Sequence, residues 1–168
     1  MSTLHVENLK GLSSGGNANK IIIPSGQTLH APGHTLQTVF NTSLPTSYET
    51  ISSGSFTNTG VHVTITPKAS NSSMLIMCNQ HFDSSSGAKI TAAIFKDGTI
   101  VTPKSPNATY DGHMYFNRLD NDRLLLHQSI YATDASVGTT SAVTYKLYVK
   151  VHNGGILLRH DLTSSRII

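Results

Sequence analysis

Apolar and polar side chains alternate most regularly over residues 141–159, SAVTYKLYVKVHNGGILLR. Val143, Tyr145, Leu147, Val149 and Val151 fall on one side and Thr144, Lys146, Tyr148, Lys150 and His152 on the other, a period of two that predicts a half-buried strand. Asn153-Gly154-Gly155 tolerates positive φ and Ile156-Leu157-Leu158 resumes the apolar run, so the segment reads as a β-hairpin closed by a glycine turn. Weaker signals precede it. Leu36, Thr38 and Phe40 share one face of a strand over 35–41, and Val61, Val63 and Ile65 alternate up to Pro67. The apolar run that opens 74–82 predicts a strand covered on both faces. Asp97-Gly98, the dipeptide favoured in type I′ turns, joins strands over 89–95 and 99–101. Two more strands are expected over 113–119 and 124–132, on either side of Asp120-Asn121-Asp122. No stretch carries a capped stripe of helical period, so helix is expected to be near absent. Strand signals separated by turns at about 8–15 residues predict an all-β protein, an antiparallel and jelly-roll-like β-sandwich.

Residues 1–34 follow a different pattern. Leu4, Val6 and Leu9 alternate weakly before the Gly/Ser-rich stretch 11–19, and Ile21, Ile22 and Ile23 form a short extended piece ended by Pro24-Ser25-Gly26. Ala31-Pro32-Gly33 is a second turn. Short extended pieces between such turns predict an N-terminal docking arm over 1–34 and a sandwich domain over 35–168. The arm has too little apolar area to offset its ordering entropy, so a neighbouring subunit or larger assembly is expected to hold it. The alternative is a tail pinned against its own domain.

Composition narrows the partners. Charged residues make up 12%, about half the usual share, and Trp is absent, so the surface must be covered by neutral polar groups. The net charge of +3 is spread along the chain without a basic run, and no nucleic-acid partner is expected. No run approaches the roughly 20 apolar residues of a membrane span, and no secretion signal opens the chain, so membrane insertion is not expected either. Cys78 is the single cysteine and lies within an apolar run, where a thiol serves as a small hydrophobe.

Chemistry is sparse. His30 and His34 bracket a Pro-Gly turn without the further Cys or carboxylate ligands of a zinc site, so no metal is expected. Asp120-Asn121-Asp122 resembles the start of a calcium loop but is followed by Arg123 and Leu124, where such a loop needs glycine and later a glutamate. No nucleophile elbow, zincin, P-loop or dinucleotide fingerprint appears, and no enzyme activity or cofactor is expected. The loops 83–88 and 103–112 carry side chains able to hydrogen-bond a sugar hydroxyl or stack on its ring: Asp83, Ser85, Asn107, Tyr110 and Asp111 are the candidate ligand-contact residues. Polar loops of a strand protein are the plainer reading.

The opening MSTLHVENL, the junction IPSGQTLHAPGHTLQTV, and then VHVTITPKASNSSMLIM, AAIFKDGTIV and SAVTYKLYVKV resemble small virion structural proteins and fibre-tip domains of tailed bacteriophages, especially those of marine hosts. The likeness covers nearly the whole chain in order, as phrases rather than a catalytic signature. It implies an N-terminal segment docked on other virion proteins or a preceding shaft. It also implies a C-terminal jelly-roll-like sandwich that forms a homotrimer and faces outward from the particle. The chain departs from that pattern at 164–168, where a longer final apolar strand is expected, and it has no repeated shaft. Two functions follow: a trimeric fibre, spike or tip protein whose distal loops touch a host surface glycan or protein, or a decoration (cement) protein without a receptor role. A free carbohydrate-binding module is a third reading.

Overall fold

The strand with the clearest alternation, β8 (Val143–Asn153), has its apolar row fully in the core, and its polar row is half-buried on the opposite side. The computed structural model describes residues 11, 13–16, 18, 20–22, 35, 37–41, 49–84, 87–102, 105, 110–117, 124–158 and 166–167, and no described residue is helical. Two units are distinguished, Met1–Leu36 and Gln37–Ile168. In the first, Ala18 N–H donates to the Gly15 carbonyl at 3.0 Å, and a Cβ on Gly11 would collide with the Lys20 backbone, so the chain reverses there.

The second unit carries the ten strands found among the described residues. β1 (Glu49–Ile51), β3 (Met74–Ser84), β7 (Leu124–Asp134), β9 (Ile156–Leu158) and β10 (Arg166–Ile167) build one antiparallel sheet. Its order is β1-β9-β3, with β7 along the far edge of β3 and β10 sharing the near edge with β9. β2 (Thr57–Ile65), β4 (Lys89–Lys96), β5 (Thr99–Ile100), β6 (Met114–Asn117) and β8 build the other. There the order is β2-β8-β4, and β5 and β6 divide the outer edge of β4 between them. Ile76, Cys78, Phe82, Ile130 and Ile156 of the first sheet and Val61, Ile90, Ile94, Leu147 and Val149 of the second share one buried core. The two sheets therefore pack face to face as an antiparallel β-sandwich.

Several expected elements stand and others change. The Asp97-Gly98 turn has positive φ at both residues, 45° and 91°, as a type I′ turn requires, and it joins β4 to β5. The hairpin expected over 141–159 does not form. Both edges of β8 are taken, by β2 and β4, so at Gly154 (φ 72°) the chain crosses to the other sheet and β9 pairs with β1 and β3. The strand over 74–82 extends to Ser84, and over 74–82 its two faces differ: Ile76, Cys78 and Phe82 are buried while Leu75 is exposed. Residues 37–41 make no ladder, and Val39 packs on the core in place of the exposed Phe40, the opposite parity from that expected. β1 has too few residues for a legible alternation and was not anticipated.

One polar network ties the sheets together. Lys96 Nζ donates to Asp134 Oδ2 and to the Val137 carbonyl, each at 2.7 Å, and the Tyr145 hydroxyl donates to the same Asp134 oxygen at 2.8 Å. Lys96 and Tyr145 belong to the second sheet and Asp134 ends β7 of the first. Burial, then the hydrogen bond to Asp134, pushes the Tyr145 phenol upward, so it stays protonated as the donor.

Candidate functional site

The outer face of the second sheet is shaped by a close approach of backbone to backbone. Gly112 lies flat on β4: a Cβ there would collide with Thr91 Cγ2 and stand 2.6 Å from the Ala92 carbonyl oxygen. Gly112 N–H donates to the Tyr110 carbonyl at 2.8 Å, and His113 N–H donates to the Ala92 carbonyl at 2.9 Å, where the ladder with β6 begins. Only glycine permits this contact. Its result is to lay Tyr110 and Asp111 over the outward row of β4 and β8.

That row becomes an aromatic band. The Tyr110 and Tyr115 rings lie 3.8 Å apart at 38°, and the Tyr110 ring meets the His152 ring edge-on at 5.3 Å. His152 Nε2 and Thr91 Oγ1 are 2.8 Å apart. Asp111 Oδ1 accepts from Lys150 Nζ at 2.7 Å, and that ammonium sits 4.9 Å above the Phe56 ring, a cation–π contact. Phe56, Phe95 and Tyr148 continue the band, with centroids 5.2 and 4.2 Å apart.

The charge state of the band follows from its packing. The hydrogen bond with Tyr110, aided by burial, pushes the Tyr115 phenol up to about 12. Burial first, and the Lys150 cation second, lower the His152 imidazole below its usual range, with Asp111 opposing. Within the band Lys150 is matched by Asp111, and Lys146 stands in the same outward row, opposite Phe95. Such a surface offers ring faces, phenol hydroxyls and an imidazole to a ligand. The Thr91–His152 pair has the spacing of a nucleophile and its base, yet Thr91 is fully buried, so no substrate carbon reaches its hydroxyl. Cys78 is no nucleophile either, since burial pushes its thiol up to about 12. Among the described residues, no three His, Cys, Asp or Glu side chains converge as metal ligands.

Of the residues singled out in the sequence, Tyr110 and Asp111 come together on this band, both half-buried. Asp83 does not join them. It lies in β3 of the other sheet, opposite Leu125 and Leu157 and only 6% exposed, because the strand runs two residues past its expected end and draws Asp83 into the ladder. Ser85 and Asn107 lie outside the described residues, as do Leu4, Val6, Leu9 and Ile23 of the arm. Ile21 and Ile22 are exposed and form no strand. Sequence reasoning missed Tyr115, Tyr148, Lys150 and His152. The signal lay in the outward row of β8, where Tyr148 and His152 stand among positions that alternation marks as solvent-facing. No protein-family model matches the chain, and no curated protein matches it.

Proposed function

We propose that the chain is a non-enzymatic structural protein of a tailed-phage virion. In this reading it is a trimeric fibre- or spike-type component, docked on other virion proteins through residues 1–34, and its sandwich meets a glycan or protein of the host surface. The observation that carries the reading is the aromatic band around Tyr110, whose ring faces, phenol hydroxyls and imidazole can bind a ligand. A jelly roll is supported by the neighbour orders β1-β9-β3-β7 and β2-β8-β4-β6, with successive strands alternating between sheets from β1 to β4 and from β6 to β9. Two interlocked Greek keys have that order. The low charge and the lone buried thiol suit a part exposed outside cells.

The test is binding of the full-length protein to an array of bacterial surface glycans, beside Tyr110→Ala. Loss of a ring that stacks on a sugar costs about 1–2 kcal/mol, so the variant should bind roughly tenfold more weakly to whatever the parent retains. A parent that binds no glycan and no host envelope fraction removes the receptor role and leaves the decoration protein as the better account.

A further inference from the structure

The aromatic band has a second end, away from Tyr110, where it meets β2. The pairing of β2 with β8 is interrupted there. Asn58 stands opposite Tyr148 and His62 opposite Lys146, so residues 59–61 of β2 face the single Leu147 of β8. This bulge is held by its own hydrogen bonds. Thr59 Oγ1, fully buried, donates to the Leu147 carbonyl at 2.9 Å, and Gly60 N–H donates to Asn58 Oδ1 at 3.1 Å. Gly60 takes a φ of 75°, which a side chain would disfavour. His62 Nδ1 lies 2.8 Å from the Gly60 carbonyl, which can only accept, so Nδ1 carries the proton and Nε2 is left as an acceptor. Bulges re-aim side chains and are over-represented beside active sites. Here the bulge sets two exposed polar side chains, Asn58 and His62, against two successive outward residues of β8.

A cation and two rings occupy the ground between them. Lys146 is opposite Phe95 on its other side, and the Phe95 ring lies 4.2 Å from that of Tyr148. The charges of this sheet are one-sided. Its five strands carry four lysines and no Asp or Glu. Lys150 is matched by Asp111, and Lys96, on the inward side, by Asp134. Asp97, in the turn after β4, accepts from the Thr144 N–H at 3.2 Å. Lys89 stands at the far end of β4, opposite Asn117 and Asn153. Among the described residues, no carboxylate contacts Lys146.

From the bulge, the rings and the unmatched cation together we infer that this end of the band binds an acidic sugar, its ring on the Phe95–Tyr148 pair and its carboxylate or sulfate on Lys146. The inference rests on the host-glycan reading above and names the ligand class of that same face. Aromatic rings take the apolar face of a sugar ring. The Lys146 ammonium gives a charge-assisted hydrogen bond to an anion. Asn58, whose Oδ1 is occupied by Gly60, has its amide N–H groups for a hydroxyl, and His62 Nε2 can accept from another. A neutral sugar would leave the cation without a counter-charge, and an acidic peptide would match the cation without a flat apolar ring for Phe95 and Tyr148.

The array of bacterial surface glycans, divided into those with uronic acid, sialic acid or sulfate groups and those without, tests this on the full-length protein. The glycans retained should be acidic, and raising NaCl from about 0.1 M to about 0.5 M should weaken their binding several-fold. Lys146→Gln, with unchanged far-ultraviolet circular dichroism, should bind the retained glycan roughly threefold to fivefold more weakly. Lys146→Arg should keep the parent's affinity, as should Lys68→Gln, at an exposed position beyond β2. Carboxylated and sulfated glycans both carry the required anion, and the one retained identifies its source. Retention of neutral glycans alone overturns the acidic class while the glycan reading stands. If no glycan is retained the sugar class falls, and if the host envelope fraction is not bound either, the receptor role falls with it. Unchanged affinity in Lys146→Gln places the anion elsewhere and overturns the inference. So does a loss in Lys68→Gln as large as that in Lys146→Gln, which shows net charge alone at work, and so does polyglutamate that competes as well as the glycan.

Discussion

Replacing Asp134 by alanine removes the acceptor shared by Lys96 and Tyr145, the one described side-chain network that joins the two sheets. Hydrogen bonds to a charged group contribute about 1.5–3 kcal/mol each, and a buried donor left without its acceptor adds a desolvation cost. Two bonds are lost here. The Tyr145 hydroxyl is left buried with no acceptor, whereas Lys96 keeps the Val137 carbonyl and, with a quarter of its side chain exposed, recovers some hydration. The net loss is then about 3 kcal/mol. Tyr145→Phe removes one donor, leaves the ion pair whole, and should cost about 1.5 kcal/mol. Equilibrium urea unfolding reads the difference: for a slope near 2 kcal/mol per molar, the midpoint should fall by about 1.5 M for Asp134→Ala and about 0.75 M for Tyr145→Phe. If Asp134→Ala costs no more than Tyr145→Phe, the carboxylate is not what holds the sheets at this end, and the reasoning fails.

Two further outcomes follow from the protonation states. Cys78 is buried and its thiol is pushed up to about 12, so a thiol reagent at pH 8 should label it only through global unfolding. Labelling of the native protein at the rate of a free thiol would contradict that burial. His81 and His152 are both lowered from 6.5, each by burial first, then by His127 for His81 and by Lys150 for His152. The unfolded chain therefore takes up protons at higher pH than the fold does, so their contribution is present above about 6.5 and is lost as pH falls below it. The urea midpoint should decline from pH 7.5 to pH 5, less steeply in a His81→Gln, His152→Gln double variant, and a midpoint that stays flat in the parent would refute the assignment.

Legibility differed between the two faces of each strand. The inward row of β8 could be read residue by residue, because alternation reports burial directly and all five apolar positions are in the core. The outward row could not. Thr91 points away from the sandwich interior and is still fully buried, because the segment at Gly112 and the rings of Tyr110 and Tyr115 close over that side. Asp83 fails as a contact residue for a related reason. A strand's end depends on how far its neighbours reach, and Leu125 and Leu157 carry the ladder past Phe82.

The sequence by itself determined the class of the protein, the inward faces of its long strands and the turn at Asp97-Gly98, since period-two alternation and positive φ are local properties of a few adjacent residues. Only the tertiary structure decided which strands are neighbours. Residues 141–159 read as a hairpin because Asn153-Gly154-Gly155 suits a tight reversal, and the same glycines serve equally well to carry the chain across the sandwich. The choice rests on whether β8 has a free edge, and β2 and β4, distant in sequence, had already occupied both. The aromatic band has the same origin: Tyr110, Tyr115, Lys150 and His152 become one surface because two distant segments lie against β4.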